Sequence, residues 1–259
     1  MPAATRPRRP PSAPGGVVRA LLGWLGWCLC ALLALQLWFA LRVATLAWVD
    51  APSTTFQRSE AWRLLRAGEL ARWRHQGVPA AALPVTLQRA VIAAEDSNFA
   101  QHFGVDWEAM RQAWQRNERA RQRLARAGGD AGQVRPARLA GGSTITQQLA
   151  KNLLLSGERT LLRKGQELLI AWMLEALLDK RRILAVYLNS VEWGDGIFGA
   201  QAAARAYFGQ EAQRLSATQA ARLAVLLPAP KRYGRRPDSP YVLARAQTIL
   251  ARMPAVQLP

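Results

Sequence analysis

The sequence predicts a mainly α-helical protein in which a single N-terminal transmembrane helix precedes a helical domain. Three observations support this fold class. A nearly continuous apolar run covers Ala20–Leu41, with Gln36 as its one strongly polar side chain. Downstream of it, apolar residues recur at spacings of three and four, and several of these segments begin with residues that cap helices. The alternation of apolar and polar residues that marks a half-buried strand is almost absent.

The composition limits the kinds of partner and of chemistry. The chain has 259 residues, half of them hydrophobic, and a formal net charge of +18. Such a basic balance indicates an anionic partner, which is nucleic acid, phospholipid headgroups or a phosphorylated substrate. Both cysteines, Cys28 and Cys30, lie in the apolar run, so the domain folds without a disulfide. The two histidines, His75 and His102, are too few for a histidine-rich metal site.

The apolar run is long enough to cross a bilayer core of about 30 Å as a helix. A cleaved signal peptide is the alternative, but its apolar region would be shorter and a cleavage site of small residues would follow it. Four arginines precede the run and one follows it before Asp50, so the positive-inside rule places the N-terminus in the cytoplasm and the residues after Val49 outside. We assign residues 1–18 to a cytoplasmic tail and residues 19–49 to the transmembrane helix and its flank.

Residues 50–82 form a juxtamembrane connector between the span and the domain. Within them, Ala61–Arg74 carries arginines among tryptophans and leucines, which predicts a basic amphipathic helix. Two interpretations of this helix remain open. It lies on anionic lipid headgroups, or it packs on the domain and leaves a solvated outer face.

The domain begins with a helix after Pro84. Leu87, Val91 and Glu95 occupy one stripe of this helix, so the carboxylate of Glu95 continues an apolar face. Partial desolvation there raises the pKa of a carboxyl group, as a general base requires. A glutamate paired with a neighbouring arginine is the competing interpretation. Asp96 points away from the stripe, so we expect Asp96→Asn to be less damaging than Glu95→Gln.

A further helix is predicted from Thr144 to Leu155. Thr144 and Gln147 form a capping box after a pair of glycines. The apolar residues of this helix make a buried stripe, whereas Thr144, Gln148 and Lys151 lie on a different, polar face. A face that is uncharged at its start and cationic one turn later fits a sugar that carries phosphate. An ordinary amphipathic helix with a solvated face is the alternative.

Caps, glycines and prolines place the remaining elements. His102 is predicted to end the Glu95 helix, with Gly104 as the break beyond it. The helix over Thr160–Asp179 is apolar enough to be the central buried helix, and its charges argue against a second membrane span. Further helices are predicted over Lys180–Leu188, from Ser216 to the residue before Pro228, and from Ser239 onward. Loops are predicted in Asn117–Ala140 after a helical first part, in Asn189–Gly199 and in Pro228–Pro237.

Five segments of the domain form an ordered set of motifs. They are Glu95–Gly104, Gly141–Asn152, Arg163–Glu167, Ile183–Asn189 and Gly196–Gly209. Together they resemble the signature motifs of glycosyltransferase family 51, the enzymes that polymerise bacterial peptidoglycan, and most of all its monofunctional members. The S-x-x-K and K-T-G motifs of the acyl-transferases that accompany such domains elsewhere are absent from the sequence. Ala185 departs from the family pattern, which often has glutamate there, so we assign it no role.

The resemblance implies a fold and a reaction. The peptidoglycan glycosyltransferase domain, residues 83–259, is expected to be lysozyme-like and bilobal, with a cleft between a large lobe and a smaller membrane-facing lobe. Its substrates would be lipid II, a disaccharide–pentapeptide on a polyprenyl pyrophosphate, and the nascent glycan. Inversion at the anomeric carbon would give a β-1,4 linkage and release polyprenyl diphosphate. The expected location is the bacterial inner membrane, with the domain in the periplasm.

The resemblance also implies roles for individual residues. Glu95 would be the catalytic base, and Glu167 would orient the donor or hold the cations around it. The residues expected to bind the pyrophosphate are Lys151, Arg159, Arg163 and Lys164. Contacts to sugar or phosphate are expected from Ser143, Gln147, Gln148 and Asn152, and Phe99 is expected either beside the acceptor or in the core.

Two of these assignments carry open alternatives. Arg163 and Glu167 are spaced to form an intrahelical ion pair, and this role is compatible with binding pyrophosphate. Mg²⁺ or another divalent cation is expected to assist the reaction without being tightly bound, and no metal ligands are assigned.

Two other functions were weighed against these motifs. A peptidoglycan hydrolase needs a general acid and a second carboxylate or bound water, but Glu95 and Asp96 are adjacent on a helix and point apart. A membrane-anchored basic scaffold for anionic lipid or nucleic acid accounts for the charge but not for the ordered motifs. Nucleic acid is not expected as a partner of an exported domain. The expected partners are the membrane and proteins of cell-wall synthesis or division.

Overall fold

The computed structural model describes residues 14–126, 142–158 and 160–259. Most of the predicted cytoplasmic tail, much of the predicted loop before Gly142, and Arg159 lie outside the described residues. The chain forms two compact units, Met1–Arg42 and Val43–Pro259.

The first helix, α1 (Pro14–Thr45), contains the predicted membrane span. Its stretch Gly16–Thr45 has a mean hydropathy of 1.9, and none of its most apolar window is buried inside the protein. Within the described ranges this is the one helix long and apolar enough to cross a membrane. Its length and composition therefore agree with the predicted transmembrane helix.

The second unit is mainly helical, as predicted, with a small sheet. Its helices are α2 (Thr55–Arg66), α3 (Val85–Glu95), α4 (Trp107–Arg126), α5 (Ile145–Leu154), α6 (Leu161–Leu177), α7 (Lys180–Ser190), α8 (Ala200–Phe208), α9 (Ala217–Leu226), α10 (Pro230–Tyr233) and α11 (Pro240–Arg252). Its strands are β1 (Arg74–His75), β2 (Glu192–Gly194) and β3 (Ile197–Phe198). Short 3₁₀ turns cover Leu70–Arg72, Ala80–Ala82, Ala212–Arg214 and Met253–Ala255.

The core has two neighbouring groups of helices. α9 packs on α3 and α11, and α5 packs on α6 and α7. The predicted capping boxes at Thr144 and Ser216 are both present, so each helix begins where the sequence places it. These caps satisfy amide donors that would otherwise lack partners at the helix start.

α6 is less buried than its composition predicts. Glu167, Ile170 and Leu174 face the core. Leu161 and Leu162 are 93% and 87% exposed, so the predicted central buried helix is buried on one face and exposed at its start. The apolar residues of α6 are spread around the helix, whereas α5 and α7 cover only one side of it.

Asn189–Gly199 was predicted as a loop, but Asn189 and Ser190 belong to α7 and residues 192–198 form a β-hairpin. β2 pairs with β3 in antiparallel fashion, and β1 adds to β3 in parallel to give the sheet order β1-β3-β2. Strands of two or three residues are too short to show an alternating pattern. The backbone of Gly199 has a φ of +86°, and a Cβ atom there would lie 2.4 Å from the carbonyl oxygen of Gln76. Only glycine fits this position without a shift of the backbone.

The predicted helix Ala61–Arg74 is shifted toward the N-terminus. α2 begins ten residues after α1 ends, at a capping box of Thr54 and Gln57, and it ends at Arg66. Gly68 has a φ of +70°, which takes the chain out of the helix and into the 3₁₀ turn before β1. The short helix α10 likewise replaces part of the predicted loop Pro228–Pro237.

α2 has one buried face and one exposed apolar face. Leu64 and the polar residues Gln57 and Glu60 are buried against the domain. Trp62 and Leu65 are more than half exposed, and the guanidinium of Arg66 lies 4.8 Å from the centre of the Trp62 ring. The helix thus packs on the domain, as one interpretation predicts, and still presents the basic, aromatic surface that the other requires.

The hairpin is tied to α2 and α10 by a cluster of carboxylates, Glu60, Glu192 and Asp195. Cations neutralise two of its members: Arg63 and Lys231 bind Glu60, and Arg63 and Arg72 bind Asp195. Burial raises the pKa of Glu192 to about 7, because the ionised form loses solvation. Ion pairs therefore hold together elements that are far apart in sequence.

Candidate active site

A cleft of about 550 Å³ opens between the end of α3, the helix α4, the start of α5 and the end of α11. Glu95 and Ser143 line it together with two arginines, Arg116 of α4 and Arg252 of α11. The first two motif segments of the sequence meet here, because α3 ends and α5 begins at the same side of the domain.

Glu95 is the last residue of α3 and is half-buried. Its Oε2 accepts a hydrogen bond of 2.8 Å from Nε2 of Gln148. Burial raises the pKa of Glu95, and the negative charge of Asp96 adds to this rise. The hydrogen bond from Gln148 and the charges of Arg245 and Lys151 act in the opposite direction. The net rise agrees with the sequence-based expectation for a base on an apolar face.

A group of charged residues at the start of α6 contacts Ser143. Glu167 is buried and accepts from Arg163 Nη1 at 2.7 Å and from Lys164 Nζ. Lys164 Nζ also lies 3.2 Å from Oγ of Ser143, which lines the cleft. The predicted ion pair between Arg163 and Glu167 is therefore formed. One carboxylate faces two cations, so the group keeps a net positive charge next to the cleft.

Comparison with known proteins identifies the family. A family model described as transglycosylase matches residues 64–254. The chain is 50% identical over 244 residues to the biosynthetic peptidoglycan transglycosylase of Burkholderia pseudomallei, covering 94% of this chain and 90% of the relative. It is 46% identical over 229 residues to the protein of that name from Paraburkholderia xenovorans, covering 88% and 89%. The chain belongs to the transglycosylase family.

Asp96 occupies a place in this transglycosylase that the sequence did not indicate. It is buried, its Oδ2 accepts from the backbone amide of Ile145 at 2.9 Å, and its Oδ1 lies 2.9 Å from Nε2 of His102. Asp96 therefore joins the end of α3 to the first residue of α5. The helix ends at Glu95, so the prediction that His102 ends it is wrong. His102 instead holds the Asp96 carboxylate from the turns that follow.

Two of the residues predicted to contact sugar or phosphate lie in the protein interior. Gln147 is 4% exposed, and its Oε1 accepts from the backbone amide of Thr144 in the cap of α5. Asn152 is 8% exposed. Because the amide oxygen of Gln147 is used at the helix start and both side chains are shielded, this conformation gives neither of them a path to a ligand in the cleft.

Phe99 is fully buried in the transglycosylase core. Its ring packs edge-on against His102, and Nζ of Lys180 lies 4.5 Å from the ring centre. Lys180 also pairs at 2.7 Å with Glu175, which accepts from Oγ1 of Thr146 at 2.6 Å. Of the two predicted positions for Phe99, the core position is the one observed.

The remaining predicted residues lie on the polar face of α5 or outside the described structure. Gln148 is half-buried between Glu95 and Tyr187, whose hydroxyl donates to Oε1 of Gln148 at 2.8 Å. Lys151 is half-buried and lies near enough to Glu95 to lower the pKa of that carboxyl group. Arg159 lies outside the described residues, so its predicted role stays a prediction.

Sequence reasoning did not assign a role at this site to one tyrosine and three arginines. Tyr187 belongs to a recognised motif, but nothing in its spacing shows that its hydroxyl reaches Gln148. The arginines of α4 and α11, Arg116, Arg245 and Arg252, are distant from Glu95 in sequence and belong to none of the motifs. Only tertiary packing brings Arg116 and Arg252 to the lining of the cleft and Arg245 near enough to Glu95 to affect the pKa of that carboxyl group.

We predict that Asp96→Asn destabilises the protein by about 2 kcal/mol, the usual worth of a hydrogen bond to a charged group. The two oxygens of Asp96 face the backbone amide of Ile145 and the ring nitrogen of His102. Asparagine keeps only one of these oxygens as an acceptor, and its NH₂ group would face one of the two donors. The free energy of unfolding measures this loss. Asp238→Asn is the control, because the Asp238 side chain is 76% exposed. Equal effects of the two substitutions would contradict the structural role of Asp96.

Proposed function

We propose that this transglycosylase polymerises lipid II into β-1,4-linked glycan strands, with inversion at the anomeric carbon and release of polyprenyl diphosphate. The observation that carries the proposal is a cleft lined by Glu95, a half-buried carboxylate with a raised pKa, and by Ser143. Lys151 of α5 lies near Glu95, and Lys164 of α6 contacts Ser143. The names of the relatives, which specify peptidoglycan, support the choice of substrate.

The proposed reaction is a single displacement. The 4-hydroxyl of the acceptor sugar gives its proton to Glu95 while its oxygen attacks the anomeric carbon of the growing chain. The bond from that carbon to the phosphate oxygen breaks, and the diphosphate leaves with the bonding electrons. Attack from the side opposite the leaving group converts an α-linked donor into a β-linked glycan. A raised pKa of Glu95 favours uptake of the proton in the transition state.

The leaving group develops negative charge, which the cations are placed to stabilise. Lys164 contacts Ser143 at the cleft while it is held by Glu167, and Arg163 is held by the same carboxylate. Because Glu167 fixes both side chains in advance, little reorganisation is needed when charge develops. We therefore assign Glu167 the role of holding the cations rather than that of a second base.

The described lining of the cleft holds no cluster of three metal-ligating side chains. Among the described residues, the one cluster of three metal-ligating side chains is Glu60, Glu192 and Asp195. It does not line the cleft, and two of its carboxylates are already paired with cations. Glu167 is likewise engaged by two cations. We therefore derive no step through Mg²⁺; if it takes part, its ligands would be pyrophosphate oxygens.

A hydrolase is the rival function for a cleft of this kind. Hydrolysis of a glycosidic bond by the usual mechanism requires a second carboxylate near the first. Asp96 is the neighbouring carboxylate, but its oxygens are engaged by the amide of Ile145 and the ring of His102. The positive surroundings of Glu95 also fit a charged leaving group better than a neutral sugar.

We further propose that α1 anchors the chain in the bacterial inner membrane and that the domain lies outside. Lipid II is embedded in the membrane, so its headgroup must be reached from the membrane surface. The exposed apolar residues Trp62 and Leu65 of α2, with Arg66 beside them, fit contact with anionic headgroups. The exposed Leu161 and Leu162 fit the same surroundings. Proteins of cell-wall synthesis or division remain proposed partners.

Glu95→Gln is predicted to abolish polymerisation of labelled lipid II while the thermal midpoint of the protein stays equal or rises slightly. Glutamine preserves size and hydrogen bonding but cannot take up the proton, and it removes a partly desolvated charge. Gel analysis of glycan polymer and a melting curve on the same preparation measure both effects. Glu211→Gln, an exposed site outside the cleft, is the control. Polymer formation by Glu95→Gln at the parent rate would contradict the role of Glu95 as the base.

Lys151→Ala and Arg159→Ala are each predicted to lower turnover by about two orders of magnitude, because one well-placed charge contributes roughly 3 kcal/mol to transition-state stabilisation. Initial rates of lipid II polymerisation measure the loss, and unchanged melting curves establish that the variants are folded. Arg214→Ala removes an exposed cation that does not line the cleft and is the matched control. If both variants polymerise as fast as the control, these cations do not hold the leaving group.

The topology predicts that a reporter that is active only after export works at the C-terminus of the full chain. The same reporter fused at residue 1 should be inactive, because the arginines before α1 retain that end in the cytoplasm. Enzyme activity of the two fusions in whole cells, corrected for protein level, measures the orientation. The opposite pattern would overturn both the topology and the access of the domain to an exported substrate.

A further inference from the structure

We propose that Tyr187 is a positioning residue for the catalytic base. Its hydroxyl fixes the side-chain amide of Gln148 in the one orientation that donates to Glu95, which leaves the second carboxylate oxygen to receive the acceptor hydroxyl. The proposal rests on the proposed function, because it takes Glu95 as the base.

Three residues from three helices form a continuous chain of hydrogen bonds. Tyr187 of α7 is fully buried, and its hydroxyl donates to Oε1 of Gln148 at 2.8 Å. Nε2 of the same amide donates to Oε2 of Glu95 at 2.8 Å. Gln148 lies on α5 and Glu95 ends α3. The carboxylate is therefore held at one oxygen by a chain whose far end is anchored in the core.

Glu95 and Tyr187, at the two ends of this series of hydrogen bonds, determine which way the amide of Gln148 is oriented. Glu95, when ionised, only accepts hydrogen bonds, so the NH₂ side of Gln148 must face it. A rotated amide would place its carbonyl oxygen against the carboxylate, and two acceptors at that distance repel. Burial and the negative charges of Glu95 and Asp96 raise the pKa of Tyr187 well above its ordinary value. The phenol therefore stays protonated and can donate, which opposes the rotation.

Several neighbouring groups affect the pKa of Glu95, and the side-chain amide of Gln148 is one of them. Asp96 beside it raises the pKa of Glu95, whereas Lys151 of α5 and Arg245 of α11 lower it. Tyr187, the titratable group that faces it from α7, remains neutral. The hydrogen bond from Gln148 acts more strongly than any of these charges and is outweighed only by burial. Loss of the fixed amide should therefore raise the pKa of Glu95 further.

Tyr187→Phe tests the proposal because it keeps the ring in the core and removes only the hydroxyl. The acidic limb of kcat/KM against pH, measured with lipid II and the full-length protein in detergent, should move upward by about one unit. A shift of that size lowers kcat/KM about tenfold at pH values below the limb, with recovery above it. The loss should fall on kcat more than on KM, since the substrate-binding cations are unchanged.

Tyr207→Phe is the matched control for this experiment. Tyr207 is also a largely buried tyrosine, and its hydroxyl donates to the carbonyl oxygen of Trp193 at 3.0 Å, away from the cleft. Tyr207→Phe should lower the stability of the protein without shifting the acidic limb of kcat/KM against pH. An unmoved limb in Tyr187→Phe, or the same shift in both variants, would overturn the positioning role.

A second measurement follows the ionisation of Glu95 without turnover. A carboxyl group whose pKa is raised in the folded protein contributes full stability below its unfolded pKa, and this contribution is lost as the pH rises through the folded pKa. Tyr187→Phe should therefore lower the thermal midpoint more at pH 8 than at pH 4.5. In a Glu95→Gln background the loss should be equal at the two pH values. Equal losses in both backgrounds would mean that Tyr187 only packs.

The two measurements separate failure of this inference from failure of the proposed function. If the parent protein forms no polymer but the stability loss of Tyr187→Phe depends on Glu95 and on pH, the polymerase function is wrong and the positioning role stands. If the parent forms polymer and Tyr187→Phe moves neither the pH profile nor the pH dependence of stability, the positioning role is wrong and the function stands.

Discussion

The buried carboxylate of Asp96 is the contact on which the arrangement of the site depends. Asp96 directly follows Glu95, the last residue of α3, and accepts a hydrogen bond from the first backbone amide of α5. It therefore sets the distance between Glu95 and the first turns of α5. His102 holds the carboxylate from the other side. An anion at a helix N-terminus is favoured by the unpaired amides and the helix dipole. One ion thus stabilises a helix and aligns the two segments that form the cleft.

The surroundings of Glu95 combine opposing electrostatic effects. Burial and the adjacent Asp96 raise its pKa, which favours proton uptake. The amide of Gln148 and the charges of Lys151 and Arg245 act in the opposite direction and lower the pKa of the carboxyl group. The cations that would stabilise a leaving pyrophosphate also bear on the base, so the two halves of the proposed chemistry are coupled.

Much of the site could be predicted from local pattern, and the exceptions have a common cause. The stripe that carries Glu95 and the capping box at Thr144 are properties of neighbouring residues, and both are present. The resemblance implied that Gln147 contacts a ligand, but its amide oxygen accepts from Thr144 in the capping box. Phe99 faces the core because the turn after α3 folds back on α7. A motif identifies residues of the site but does not show whether each one contacts a ligand or stabilises the surrounding structure.

Periodicity, caps and charge asymmetry by themselves determined the mainly helical class, the apolar N-terminal helix, the starts of α5, α9 and α11, and the partly desolvated position of Glu95. These features depend on interactions within a few turns of one chain segment. Tertiary structure alone decided the hairpin at residues 192–198, the exposed face of α6, the bridge from Asp96 to Ile145 and the link from Tyr187 through Gln148 to Glu95. Each of these joins residues far apart in sequence, so its energy exists only after the helices have packed, and no local pattern encodes it.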